Sequence, residues 1–177
     1  MSQLDWDKYF YNLCVEVSKN SKCLSRKIGS ILVKDKSILS TGYNGPPRGV
    51  PTCSERYNLD PKLHELITKD GTTPDENDIA NVCPRYIVGF KSGQGLEWCV
   101  AGHSERNTLI NAARMGIKTK NCKLYMSCGI PCAPCLVEII NAGIEEIIVT
   151  KIEYYDVSAE YLLKNSSLKY RVFEHLK

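Results

Sequence analysis

The sequence has no apolar run approaching the roughly 20 residues needed to cross a membrane as a helix. It has no run of like charge either. Lys and Arg number 23 and Asp and Glu 20, so the formal charge is only +3. That is too little, and too dispersed, for the basic face of a nucleic-acid binder. The opening stretch MSQLDWDKYFYNLC lacks the basic segment and apolar core of a secretory signal, so the expected location is the cytoplasm. No internal repeat is present. With 177 residues, 43% hydrophobic and 24% charged, the chain reads as one globular domain able to bury a core.

Cysteine, by contrast, is abundant at nine. An odd count without an export signal argues against a disulfide framework. Metal binding or catalysis explains the excess better.

Residues 5–21 carry Trp6, Tyr9, Phe10, Leu13 and Val17 at spacings of three and four, which predicts an amphipathic helix. Two β-rich runs, 28–33 and 37–43, flank the turn Lys34-Asp35-Lys36 and predict a hairpin. Residues 46–98 are rich in Pro, Gly and Asn with weak periodicity, and read as an insertion holding one short helix near 61–69. From His103 regular structure returns. A helix with Leu109, Ile110 and Ala113 on its buried side stops at Gly116, and the strand KLYMS follows. A helix over 134–142, the strand EEIIVT, the helix SAEYLLKNS and the strand KYRVF complete the chain. Strand, helix and strand joined by short links make a parallel crossover. The expected fold is α/β, a three-layer α/β/α sandwich around a mixed five-stranded sheet.

The stretch SCGIPCAPC places Cys132 and Cys135 three apart at a helix start, where the dipole favours thiolates. By itself that pair suits a metal or a redox dithiol about equally. GHSERN decides between them. His103 and Glu105, followed about thirty residues later by P-C-x-x-C, form the H-x-E…P-C-x-x-C signature of zinc-dependent nucleobase deaminases. His103, Cys132 and Cys135 would hold Zn²⁺ and leave a fourth position for water, the pattern of a catalytic site. Glu105 would move protons as water adds at C4 of a cytosine or C6 of an adenine. A redox dithiol has no use for either His103 or Glu105. Cys128 as a fourth ligand would displace the water, so it is expected at a strand end and off the metal.

The chain resembles the deoxycytidylate (dCMP) deaminases of the cytidine deaminase superfamily in DWDKYF, SKCLSRKIGSILVKD, ILSTGYNGPPRGVPTCSE, HSERN and PCAPC. The G-Y-N-G-x-P-x-G stretch distinguishes it from tRNA adenosine deaminases, and the long insertion is similar to phage-encoded members. The resemblance implies a cytidine deaminase-like fold and hydrolysis of dCMP to dUMP and ammonia, feeding dTMP synthesis. It also implies a homo-oligomer, commonly a hexamer, activated by dCTP and inhibited by dTTP, with Mg²⁺ accompanying the triphosphate. By position, Asn44 matches the residue that holds the deoxyribose, Arg26 a basic residue near the 5′-phosphate, and Tyr154 a tyrosine lining the nucleotide pocket. Ser104 stands where alanine is usual, and is expected to meet the base through its backbone. Lys27, Gly45 and Arg48 are expected at the effector site, since a turn rich in backbone N–H groups suits phosphate.

Some members of that family tie the insertion down with a structural zinc, and Cys23 and Cys53 fall on two of its ligand positions. This chain departs from the relatives' histidines: Ala101 stands where one is found. Cys83 and Cys99, or His64, are the substitutes, and a Cys₄ set would be a closed structural site. Cys14 and Cys122 are expected as core or surface thiols. Two other readings remain: a tRNA or single-stranded nucleic-acid deaminase, disfavoured by the missing basic face, and an inert zinc or nucleotide-binding module, disfavoured by Glu105.

Overall fold

The computed structural model describes residues 2–71 and 73–176. The chain divides into two compact units, one of residues 1–21, 28–44 and 103–177, the other of residues 22–27 and 45–102.

In the first unit, helix α1 spans Gln3–Ser18 and begins with Ser2 and Asp5 capping each other's backbone N–H groups. It therefore starts and ends earlier than the periodicity predicted. Its buried face is Asp7, Phe10, Cys14 and Ser18, while Tyr9 of the expected stripe is exposed. Strands β1 (Gly29–Lys34) and β2 (Ser37–Tyr43) pair antiparallel. They are joined through Asp35 and Lys36, both at positive φ (48° and 63°), the conformation of a two-residue type I′ turn. A register shift between Leu32 and Val33 bends the ladder. Helix α6 (Ser104–Arg114), β3 (Lys123–Met126), α7 (Ala133–Asn141), β4 (Glu146–Val149), α8 (Val157–Lys164) and β5 (Lys169–Val172) follow. Strand order is β2-β1-β3-β4-β5, with β3, β4 and β5 parallel, so the mixed five-stranded sheet is as expected.

Alternation along the strands sorts the core onto two faces. Ile31, Val33, Tyr125 and Ile148 point one way and pack with Phe10 and Cys14 of α1 and with Phe173. Leu32, Leu124, Met126, Ile147 and Val149 point the other way, against Leu109 of α6, Leu136 and Ile139 of α7 and Leu163 of α8. Because both faces are covered, β1 is buried at every position but its last. Cys14 and Cys122 are both core residues. On α6 the buried side is Ser104, Glu105, Thr108, Leu109 and Ala112, which corrects the expectation for Ile110 and Ala113: both are exposed. Gly116, at φ 66°, does terminate that segment.

Two glycines allow helices to sit close on the sheet. A Cβ on Gly29 would lie 2.1 Å from the Cys14 carbonyl oxygen in α1. One on Gly42 would lie 2.4 Å from the Thr108 nitrogen and 2.6 Å from the Ser104 carbonyl oxygen in α6. The first turn of α6 thus rests directly on the β2 backbone.

Asp7, fully buried, ties α1 to the end of the sheet. Arg171 grips its carboxylate through two guanidinium nitrogens, one at 3.0 Å, and the Glu174 N–H donates to it at 2.8 Å. Burial alone would raise the Asp7 pKa, but Arg171, the Glu174 N–H and Gln3 together hold it below the ordinary 3.8. A depressed carboxyl pKa means that the stabilisation is complete above the unfolded value of about 3.9 and is lost as pH falls through the folded one. Asp7→Asn is expected to cost about 3 kcal/mol near neutral pH, measured by urea unfolding, and the gap to wild type should narrow at about pH 3. An equal gap at both pH values would remove Asp7 from this role.

Among the described residues, the second unit contains four short helices where the sequence predicts one. They are α2 (Cys53–Leu59), α3 (Pro61–Thr68), α4 (Glu76–Asn81) and α5 (Pro84–Ile87), followed by a 3-10 turn at Leu96–Trp98. Each has a local start signal. Thr52 and Glu55 form a capping box, Asp60 and Asp75 cap the next two, and Pro61 and Pro84 occupy first-turn positions. Cross-links replace a large core: Ser25 Oγ meets the Tyr86 hydroxyl at 2.6 Å, Arg56 donates to the Trp98 carbonyl at 2.9 Å, and Gly45 and Gly102 form a two-way bridge. Leu63, Ile67, Cys53 and Cys83 supply the buried apolar side chains.

Candidate metal centre

Two helix starts in the first unit carry the site. His103 is the N-cap of α6 and Cys132 the N-cap of α7, both in extended backbone, and neither side chain caps its own helix. They turn instead toward one another. His103 Nδ1 lies 3.5 Å from Cys132 Sγ and 3.3 Å from Cys135 Sγ, and the two sulfurs are 3.4 Å apart. Among the described residues this group alone gathers three or more possible ligand atoms all within 4.8 Å of one another. Tetrahedral zinc, with bonds of about 2.0 Å to nitrogen and 2.3 Å to sulfur, places its ligand atoms about 3.5–3.8 Å apart. The three donors fit a zinc ion to within a few tenths of an ångström, and their chemistry, two thiols and an imidazole, is that of a zinc site.

Charge in the group is shared in the same sense. Hydrogen bonding from Cys135, then from His103, draws the Cys132 thiol down to about 5 against the opposing effect of burial. The Cys132 thiolate and then Glu105 push His103 up to about 10. Cys135 is raised, by the Cys132 thiolate beside it and by burial. Glu105 sits one helical residue inward, 4% exposed. Burial raises its pKa, yet the bond to His103 and the adjacent charge bring it below the ordinary carboxylate value. Its Oε1 lies 3.7 Å from His103 Nδ1, and its Oε2 accepts from Ser104 Oγ at 2.9 Å. A carboxylate thus stands beside the three donors, ionised and within reach of anything held by them.

The scaffold behind these residues is dense. Thr108 Oγ1 bonds the Ser104 carbonyl at 2.9 Å and Ser30 Oγ at 2.6 Å, which locks the first turn of α6 to β1. Asn107 and Asn111, one helical turn apart, donate to the Tyr43 and Thr41 carbonyls of β2, each at 2.8 Å. Arg106 and Glu138 pair between α6 and α7 at 2.7 Å, on the surface, where such pairs contribute little. One brace was missed in the sequence. Asp156 Oδ1 caps α8 at the Ala159 N–H (2.7 Å) while Oδ2 accepts from the Ala133 N–H (3.2 Å), holding the residue next to Cys132. Its N-cap half was legible as Asp before a helical pattern. Its reach to α7 was not.

Cys128 is half-buried against the core, its carbonyl accepting from the Thr150 N–H, and stands outside the three-donor group as expected. Asn44 is buried at the end of β2 with its side-chain oxygen accepting from the Ile28 N–H at 2.8 Å. Tyr154 is exposed, its hydroxyl 3.4 Å from that of Tyr170. Arg26, Lys27, Gly45 and Arg48 all belong to the second unit: Arg26 and Lys27 are exposed in a segment without regular structure, Gly45 is in the Gly102 bridge, and Arg48 is exposed in a turn.

The other four cysteines, Cys23, Cys53, Cys83 and Cys99, all belong to the second unit. Cys53 opens α2, Cys83 precedes α5, and Cys99 follows the 3-10 turn. Burial lifts the Cys53 thiol to about 11, and Cys83, Cys23 and Cys99 each add to the rise by their proximity. His64 packs on Tyr57 instead, with ring centres 5.0 Å apart. All nine cysteines are reduced thiols.

An α/β sandwich that presents His, Glu and a Cys-x-x-Cys pair at two neighbouring helix starts defines a zinc-centred domain of the deaminase type. Residues 4–151 match the family model of the cytidine and deoxycytidylate deaminase zinc-binding region, and the chain belongs to that family. It is 30% identical over 156 residues to the deoxycytidylate deaminase of Mycobacterium phage D29, covering 85% of this chain and 98% of that protein. To the deoxycytidylate deaminase of Schizosaccharomyces pombe it is 29% identical over 168 residues, 95% of this chain but 44% of that one. The chain therefore spans less than half the length of that relative. In three dimensions it is similar to the dCMP deaminase of cyanophage S-TIM5 in apo form, with a TM-score of 0.63 at 19% identity over 95% of this chain and 97% of that one. A second structure of that cyanophage protein, in complex with dCMP and dUMP, matches with a TM-score of 0.60 at 21% identity over 93% of this chain and 94% of that one.

Proposed function

We propose that the chain is a zinc-dependent hydrolase that converts dCMP to dUMP and ammonia. The observation that carries this reading is the buried Glu105 carboxylate set beside the His103, Cys132 and Cys135 donors, because a purely structural zinc needs no ionised side chain there. Family membership and the names of the relatives agree with it.

His103, Cys132 and Cys135 are the proposed zinc ligands. When bound, zinc in a three-ligand site supplies Lewis acidity that brings the pKa of a water at its open position to about 7. Glu105 takes a proton from the attacking water as its oxygen bonds to C4 and hands that proton to the ring nitrogen N3. It then takes the second proton from the new C4 hydroxyl and gives it to the amino group, which leaves as ammonia as the C4–N bond breaks. The ionised state of Glu105 is the one that accepts the first proton. Asn44 is the proposed deoxyribose ligand; the Ile28 N–H orients its amide by occupying the side-chain oxygen. Arg26 is assigned to the 5′-phosphate, which a guanidinium binds by charge and paired N–H groups, and Tyr154 to the nucleotide pocket.

Three finer points belong to the same proposal. Lys27, Gly45 and Arg48 serve dCTP as activator and dTTP as inhibitor, with Mg²⁺ on the triphosphate, in a homo-oligomer, a hexamer by resemblance. The dUMP formed supplies dTMP synthesis in the cytoplasm. Cys23, Cys53, Cys83 and Cys99 hold a second, structural zinc. The surroundings of Cys53 support that site, because three more cysteines lie near enough to act on its charge. A closed Cys₄ site would also anchor a unit whose helices are all short.

The test is an absorbance assay on the purified, zinc-loaded protein with dCMP, dCTP, cytidine and an oligonucleotide. Turnover of dCMP, raised by dCTP and suppressed by dTTP, is expected. Turnover of the oligonucleotide in place of dCMP would overturn the assignment.

A further inference from the structure

Ser104 lies between the proposed ligand His103 and the proposed acid-base residue Glu105, and its side chain has a feature that its position alone does not require. It is 1% exposed, and its hydroxyl donates to Glu105 Oε2 at 2.9 Å. The two carboxylate oxygens of Glu105 are thereby distinguished. Oε2 is tied back toward the start of α6, while Oε1 is left on the side where His103, Cys132 and Cys135 converge, 3.7 Å from the imidazole. A glutamate has three rotatable side-chain bonds, and burial alone does not choose among their settings. A hydrogen bond of 2.9 Å to one particular carboxylate oxygen does choose, because it favours the settings that keep that oxygen in place.

We infer that Ser104 is a positioning residue which anchors one oxygen of Glu105 so that the other is presented to the reacting water and base. This rests on the function proposed above and gives Ser104 a side-chain role, where the sequence implied only a backbone contact. The anchor is itself well held. The Ser104 carbonyl accepts from Thr108 Oγ1, and the backbone there sits against Gly42 with no space for a Cβ between them. The backbone that carries the hydroxyl is therefore fixed against β2, and only rotation about the Ser104 side-chain bond is left to it. Proton transfer at two different atoms of the base needs the free oxygen to swing over a short arc, and a carboxylate pivoting on one fixed oxygen does so without losing its place.

Ser104→Ala deletes the anchor and leaves every proposed metal ligand intact. In the zinc-loaded protein kcat on dCMP should fall roughly three- to thirtyfold, with KM within about twofold. Zinc content and the visible spectrum of the cobalt-substituted protein should not change. Ser104→Thr keeps the hydroxyl and should recover most of the loss. An unaltered kcat in Ser104→Ala overturns the inference. So does a changed cobalt spectrum, which would place the residue in the metal shell instead. A crystal structure of zinc-loaded Ser104→Ala decides the point without reference to substrate: Glu105 spread over more than one rotamer is expected, and a single rotamer as in the parent overturns it. Failure of the parent protein to turn over dCMP would count against the proposed function; the crystallographic result would still judge Ser104.

Discussion

Glu105→Gln is expected to lower kcat on dCMP by about 10²–10⁴, the range for loss of a positioned acid-base group, while zinc content stays at the parent level. Gln has nearly the same shape, so it can occupy the same pocket and still accept from Ser104. It cannot take a proton from water or give one to the ring. Because the carboxylate is beside the three donors and not among them, metal retention separates this variant from a damaged site. Turnover within a few-fold of the parent would remove Glu105 from the chemistry. Loss of zinc along with activity would make it a ligand, which the distances do not suggest.

Cys135→Ala should abolish turnover, by at least about 10⁴-fold, through loss of the metal. Cys135 is fully buried in the first turn of α7, and no other thiol among the described residues stands in the group to replace it. Metal analysis gives the variant a second use. If both proposed sites exist, the parent holds two zinc ions per chain, Cys135→Ala keeps one, and Cys99→Ala keeps the other together with its activity. One zinc in the parent and none in Cys135→Ala would eliminate the Cys₄ site and leave the catalytic one standing.

Much of this is legible in the sequence alone. The strand-helix-strand order of the second half followed from period and punctuation, since Gly116 and Gly143 both end helices at positive φ. The metal group followed from residue types at a spacing few other sites require. The errors on α1 and α6 share one cause. On α1 and α6 the periodicity named a face about one position away from the buried one, because polar side chains occupy core positions there. Asp7 is buried by its pairing with Arg171, and Thr108 by its bonds to Ser30 and the Ser104 carbonyl. A pattern that counts only apolar residues passes over such positions. In residues 46–98 the short helices were hidden by weak periodicity, although each carried a cap or a proline at its start.

The sequence by itself determined the sheet's character, the donor set and the carboxylate that stands beside it, because each depends on residue types at short, regular spacings. Tertiary structure decided what joins residues far apart in the chain. It brought the side chains of His103 and Cys132, 29 positions apart, to 3.5 Å, placed Cys23, Cys83 and Cys99 near enough to Cys53 to raise its thiol, and set Asp156 against the start of α7. It also turned Ser104 from a small residue between two important ones into the hydrogen-bond partner of the second. Side-chain direction at such positions is set by what packs behind them, here Gly42 and Thr108, and no local spacing records that.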